Sequence, residues 1–301
     1  VSGATGWNAT WRSLKGSGAL QAELGLRGLK SRLPPPLHFP DGLPVEKLVL
    51  KTETATGDSH VLALSAGNRI GGRLVLQRRA GAWQFAGGRV GFGEERTPPA
   101  RGRGLHLSVQ IDALDLDPWF PLLGQEGGDT PSWLSRVSAD IRALDLFDRR
   151  FGRVAFDLAH DKGGWNGTVS GAAARGRVRY ARRGRDTLVD LDLATLNLPG
   201  RLSDRQDTDV DPRRLPAVTV KAKSFLLKDK PLGELDFAAQ PLADGWRVAR
   251  LNLARPETQL AVSGDWRLIG SSHQSEFDVR LNSSDMGKTL NALGIPEQMI
   301  G

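Results

Sequence analysis

The chain has 301 residues, of which 39% are hydrophobic and 25% charged; that is too apolar for a disordered polymer and too polar for a membrane-embedded one. It contains no cysteine, which excludes disulfide staples and thiolate metal sites. Its net charge of +7 favours acidic partners such as nucleic acid or anionic lipid, although the charges are scattered along the chain.

The chain begins at Val1 without a leader-like segment, and no apolar run approaches the ~20 residues of a spanning helix. With Gln298-Met299-Ile300-Gly301 as its last residues, it reads as a piece of a longer protein. The first half opens with Gly18-Ala19-Leu20 and a proline-rich stretch at Leu33-Pro34-Pro35-Pro36-Leu37. Turn signals follow at Arg79-Ala80-Gly81, and a longer loop is predicted from Glu94 to Arg103.

From there period-2 alternation dominates. Leu105, Leu107, Val109 and Ile111 alternate with His106, Ser108, Gln110 and Asp112. Asp117-Pro118 then predicts the start of a short helix ending at Gly124. Val154, Phe156 and Leu158 form the next alternating run, and Leu191 and Leu193 belong to another. Leu235 and Phe237 follow, then Val262, and finally Phe277, Val279 and Leu281. Short turns such as Asp161-Lys162-Gly163-Gly164, Arg182-Arg183-Gly184-Arg185 and Ala243-Asp244-Gly245 separate these runs. A second long loop is predicted over Ser203 to Arg214, and a second short helix over Ser284 to Gly294.

Successive strand side chains point to opposite faces, so each run has one apolar face and one wet face. That is the one-side-buried pattern of antiparallel sheets, with about fifteen strands joined mostly by hairpins. The pattern also repeats. Ala139, Ile141, Leu144, Gly152, Val154, Phe156 and Trp165 match Val220, Ala222, Phe225, Gly233, Leu235, Phe237 and Trp246, each 81 positions on (220 − 139, 246 − 165). Gly72, Leu74, Leu76 and Trp83 make an earlier, weaker copy. The fold class is therefore mainly β, one continuous array over residues 1–301 in approximate units 1–125, 132–200 and 212–295, stacked rather than globular.

Apolar faces in this number must be covered by a second sheet, by barrel closure, or left to line an open trough. In the third case the lining is Leu105, Leu107, Val109, Ile111, Val154, Phe156, Leu158, Leu191, Leu193, Leu235, Phe237, Val262, Phe277, Val279 and Leu281. No polar constellation interrupts it, which suits a hydrocarbon ligand.

The sharper motifs are weak. The histidines His38, His60, His106, His160 and His273 lack metal-ligand spacing. Ser170 and Ser263 lie in strand-like alternation rather than in a nucleophile elbow. Asp207, Asp209 and Asp211 have calcium-loop spacing, but Pro212 and Val218 stand where that loop requires Gly and Glu. The basic hairpin Arg175, Arg177, Arg179, Arg182, Arg183, Arg185 offers nucleic acid charge and one ring, Tyr180, yet its alternation places the arginines on the wet face. No nucleic-acid partner, cofactor, metal or catalytic residue is expected.

Four strings carry a family resemblance. They are Gly18-Ala19-Leu20 with Leu29 to Leu37 and Gly42-Leu43-Pro44-Val45; Gly104 to Leu107 with Leu114 to Trp119; Asp211 to Val218 with Leu232 to Leu235 and Gly245 to Val248; and Leu260 to Trp266. In order and spacing they resemble the YhdP-type branch of the AsmA-like, TamB-related family of Gram-negative envelope lipid-transport proteins. The resemblance implies a long twisted sheet curled into a taco-like groove. It implies a periplasmic segment of an inner-membrane-anchored parent, with possible outer-membrane contact, that shields phospholipid acyl chains between the two membranes. The competing expectation is a structural module that assists outer-membrane proteins through exposed sheet edges.

Overall fold

The computed structural model describes residues 2–14, 17–35, 38–39, 41, 46–67, 70–93, 103–119, 133–183, 186–202, 211–285 and 287. Among them the chain is mainly β, with almost no helix. The strands are β1 (Ser2–Gly3), β2 (Trp7–Leu14), β3 (Ser17–Gly25), β4 (Leu29–Arg32), β5 (His38–Phe39), β6 (Lys47–Thr56), β7 (Ser59–Ala66), β8 (Ile70–Arg79), β9 (Ala82–Phe92) and β10 (Gly104–Asp115). They continue as β11 (Leu134–Leu146), β12 (Arg149–Arg150), β13 (Val154–Asp161), β14 (Gly164–Gly171), β15 (Ala174–Arg183) and β16 (Asp186–Leu198). The last are β17 (Ala217–Leu227), β18 (Lys230–Leu242), β19 (Gly245–Arg255), β20 (Thr258–Ile269) and β21 (Ser272–Ser283).

Two units are distinguished by their internal contacts. The first comprises residues 1–123, 127–142 and 155–160, and the second 124–126, 143–154 and 161–301. In the first, β2 pairs with β3, β3 with β6, and β6 to β9 follow as successive hairpins. A small separate sheet joins β1, β4 and β5. In the second unit β14 to β21 pair in chain order.

The expectation of a purely antiparallel sheet is corrected at two places. β10 runs parallel to β9, with Gly104 opposite Gly87 and Val109 opposite Phe92. β17 runs parallel to β16, from Leu188 opposite Ala217 to Leu198 opposite Leu227. Parallel neighbours require the chain to return along the whole strand before pairing, which a tight turn cannot do. The two crossovers fall where the sequence shows its long loops.

The two predicted helices are described only in part. Asp117–Trp119 forms a 3-10 turn, η1, with the Trp119 Nε1–H donating to the Pro35 carbonyl at 3.0 Å. The remainder of that predicted helix lies outside the described residues, and of Ser284–Gly294 only Ser284, Asp285 and Gly287 are described, with Gly287 helical. A second 3-10 turn, η2, spans Pro212–Arg214 inside the second predicted loop. Asp211 caps it, accepting a 3.0 Å bond from the Arg213 backbone N–H, and Pro212 occupies the first turn, where it loses no hydrogen bond. Pro212 is fully buried, and η2 lies against β18, β19 and β20.

The 81-residue repeat extends to backbone conformation in the second unit. Phe147 and Asp148 have φ of 51° and 55°; Lys228 and Asp229, 81 positions on, have 52° and 64°. Gly152 and Gly233 match in the same way, at 66° and 90°. Two consecutive residues at positive φ make the hairpin turn that suits strand twist, although neither position carries the usual glycine. Asp229 is held by Asn197, whose Nδ2 donates to its carboxylate at 2.7 Å.

Candidate functional site

Strand register sorts the side chains of the second unit into two faces, because residues directly opposite each other project to the same side. On one face Trp246 stands opposite Trp266, and Val248 opposite Gly264, which faces Phe277. The next row joins Leu191, Val220, Phe237, Leu251, Val262 and Val279. The row after it joins Leu193, Ala222, Leu235, Leu253, Leu260 and Leu281. At the other side of the unit, Val178 lies opposite Leu191, and Trp165 opposite Tyr180, which faces Val189. The apolar face therefore runs without a charged side chain across these rows from β14 to β21. Irregularities at Val248/Leu251 and Ala238/Ala239 absorb extra residues and keep the face in phase.

Burial falls along this face. Leu193, Val220, Ala222, Phe225 and Leu235 are buried in β16 to β18. Leu251, Val262 and Leu281 are half-buried, and Phe277 and Val279 are exposed. A contiguous apolar strip that opens progressively to solvent marks a place for an apolar partner or ligand.

The opposite face is wet and charge-paired. Arg177 binds Asp192; Asp192 lies opposite Lys221, Lys221 opposite Asp236, and Arg250 reaches Asp236 at 3.0 Å. Arg247 and Arg267 both bind Asp265, and these two hydrogen-bonded guanidinium groups hold its carboxyl well below the usual range. Arg175, Arg177 and Arg179 of the basic hairpin fall on this wet side.

The first unit repeats the division. Leu62 stands opposite Leu74, Leu74 opposite Gly88, and Gly88 opposite Leu105. Leu64, Gly72, Val90 and Leu107 form the next row, and Phe92 faces Val109. Alternation along β10 carries the same face to Ile111. Near one end of these strands His60 is buried between Trp11, stacked at 6.2 Å, and Trp83, edge-on at 4.4 Å, while Trp7 stands at the other end.

The fifteen sequence-predicted lining residues are placed as follows. Leu105, Leu107, Val109 and Ile111 are half-buried on the apolar face of the first unit. Phe156 and Leu158 alternate with Asp157, whose carboxylate belongs to the polar side, so they fall with Leu105 and Leu107. Val154 is fully buried in the second unit. Leu191, Leu193, Leu235, Phe237, Val262, Phe277, Val279 and Leu281 share the single face traced above.

One polar constellation was not foreseen. On the wet face of the first unit, His106 Nε2 lies 2.9 Å from Ser138 Oγ, and that hydroxyl donates to Asp157 at 3.1 Å. Arg136 pairs with the same carboxylate, and Arg89 Nη2 reaches Ser108 at 3.4 Å. The hydroxyl proton is committed to Asp157, so the imidazole donates to Ser138 rather than accepting from it. Serine here has no base, the reverse of a catalytic triad, in which histidine sits between. Burial, with help from Arg89 and Arg136, lowers the His106 pKa from its ordinary value. These residues come from three strands far apart in sequence, and only the outward positions of His106 and Asp157 in their alternating runs hinted at a shared side.

Among the described residues no helix is long and apolar enough to cross a membrane. Neither a curated protein nor a solved structure matches the chain. A family model described as YhdP protein matches residues 1–300. With nearly every residue matched, the chain belongs to the YhdP family, and that membership points to lipid transport in the cell envelope rather than to catalysis.

Proposed function

We propose that the apolar face of each unit lines a groove that shields phospholipid acyl chains as they pass between the inner and outer membranes. The observation that carries this reading is the uninterrupted apolar face from β14 to β21, closed at β16 to β18 and open at β20 and β21. Each buried methylene is worth about 0.8 kcal/mol, so keeping two acyl chains out of water removes a penalty on the order of tens of kcal/mol. A lining of Leu, Val and Phe offers no hydrogen bonds to hold one lipid fast, so a chain can slide along it. The head group stays in water at the groove's mouth. The setting is the periplasm, as part of a protein anchored in the inner membrane.

The test is mass spectrometry of gently purified protein. Co-purified phospholipid is expected, and its consistent absence at stoichiometric sensitivity overturns the reading.

A second reading rests on β21. Its Phe277 and Val279 are exposed, and among the described residues it pairs on one side only, with β20. Such an edge can accept a strand from another polypeptide, which would make the protein an assembly module for outer-membrane proteins. Crosslinking from β21 that captured nascent barrel proteins, with no lipid bound, would favour it.

A further inference from the structure

The second unit has three tryptophans and one tyrosine, and all four stand near the same end of its strands. Trp165 and Trp246 are the second residues of β14 and β19. β19 and β20 are antiparallel, which brings Trp266, close to the end of β20, directly opposite Trp246. Tyr180 lies opposite Trp165 in the same way. All four side chains belong to the apolar face, by the register already traced. Toward the other end that face carries Leu196, Phe225, Leu253, Leu260 and Leu281, with no polar-tipped ring among them.

Two of the indoles are oriented, not merely placed. Trp246 packs its ring 5.8 Å from Phe237 on the apolar side, while its Nε1–H donates to the Pro216 carbonyl beside η2 at 2.8 Å. Trp266 donates its Nε1–H to His273 Nδ1, next to the β20–β21 turn, at 3.1 Å. Trp246 thus presents its hydrocarbon toward the aliphatic rows and its polar edge toward η2, and Trp266 turns its polar edge toward the β20–β21 turn. Rings with one apolar and one wet end settle where hydrocarbon meets water, as they do at the head-group level of bilayers.

We infer that the aromatic rim is the head-group side of the groove in the second unit: a bound phospholipid rests its glycerol and head group against Trp165, Tyr180, Trp246 and Trp266, with its acyl chains directed toward the aliphatic rim. This rests on the groove reading and adds an orientation to it. Two rims of equal character would leave the lipid free to bind either way round. A single aromatic rim fixes which side stays wet.

The experiment uses phosphatidylethanolamine carrying a photoactivatable diazirine either on the head group or at the acyl terminus, with labelled peptides mapped by mass spectrometry on the intact chain. Head-group probes are expected to label the segments around Trp165, Trp246 and Trp266. Tail-end probes are expected to label residues 225–232 and 253–260. A triple variant, Trp165→Leu, Trp246→Leu and Trp266→Leu, keeps the rim apolar and is expected to abolish the head-group bias; should it fail to fold, the wild-type map decides alone. Labelling of both rims equally by both probes, or a reversed pattern, overturns the orientation and leaves the groove standing. No labelling of the apolar face by either probe overturns the groove and the orientation together.

Discussion

Leu193 and Val279 lie on the same face of one sheet, yet Leu193 is 2% exposed and Val279 61% exposed. One is enclosed by its neighbours in the middle of the second unit, and the other stands on its last strand. Equal hydrophobicity therefore has unequal consequences. Leu193→Ala is expected to destabilise the fold by about 2–5 kcal/mol, as buried leucines do. Val279→Ala should change stability by less than about 0.5 kcal/mol. Urea denaturation of the two variants makes the comparison directly.

Ala261 and Val262 are neighbours in sequence on opposite faces of β20. Ala261 lies opposite Asn252 and Arg280, while Val262 lies opposite Leu251 and Val279. Val262→Asp is expected to remove most co-purified phospholipid, because a carboxylate in the apolar row is costly to desolvate. Ala261→Asp should leave lipid content unchanged. Quantitative lipid extraction from both variants, with circular dichroism to verify folding, separates a facing effect from a general one. In the first unit Val109→Asp should act as Val262→Asp does.

Asp229 holds a positive φ inside a turn and is bonded to Asn197. Asp229→Val places a β-branched side chain where it is disfavoured and removes that bond. A loss of about 2 kcal/mol is expected, from roughly 1–2 for the backbone and 0.5–1.5 for the hydrogen bond. Thermal denaturation of this variant beside Asp229→Asn, which retains a side chain tolerant of that conformation, checks the cause.

His106 supplies a pH prediction. Its folded pKa is lowered, first by burial and then by Arg89 and Arg136, so the unfolded chain binds its proton more readily. Stability is then highest above the ordinary histidine pKa and falls as the pH drops from there toward the lowered folded value. His106→Gln should flatten that decline. Equilibrium unfolding measured at a series of pH values from 7.5 downward tests it.

Asp211 responds at lower pH. The side-chain hydrogen bond from Arg213 is the largest cause holding its carboxyl down, at about 2. Its contribution is complete above the ordinary carboxylate value and is lost as pH falls through about 2. Because η2 is tied to Trp246 through Pro216, acidification from pH 4 to 2 should change Trp246 fluorescence, and Asp211→Asn should show the changed signal already at pH 4.

The faces were legible because strand geometry has a period of two, and register then preserves that division from strand to strand. Leu191, Phe237, Val262 and Val279 could be grouped by alternation alone, before their pairing was known. Direction was not legible. β16 and β17 have the same alternating character as any hairpin pair, and only the length of the intervening segment distinguishes a crossover from a turn. The start of a helix at Asp117 was legible from its cap and the following proline, and a 3-10 turn begins there. His106, Ser138 and Asp157 escaped because nothing local marks residues that meet only across strands. The aromatic rim escaped because Trp165 and Trp246 read only as matching positions of a repeat until β19 and β20 align Trp246 with Trp266.

The parallel junction between β16 and β17 also shapes how the molecule is made. On either side of it, each strand is paired with one that left the ribosome immediately before it, so the sheet can zip up hairpin by hairpin as it emerges. At Leu198 that zipper has no next tooth: Ala217 must first travel back beside Leu188, a strand's length of about 30 Å at 3.3 Å per residue. Closing so long a loop precedes any reward from the contacts it allows, which is slow compared with forming a hairpin. Assembly of the second unit should therefore pause at this junction, with β14 to β16 and β17 to β21 as the pieces that wait for each other.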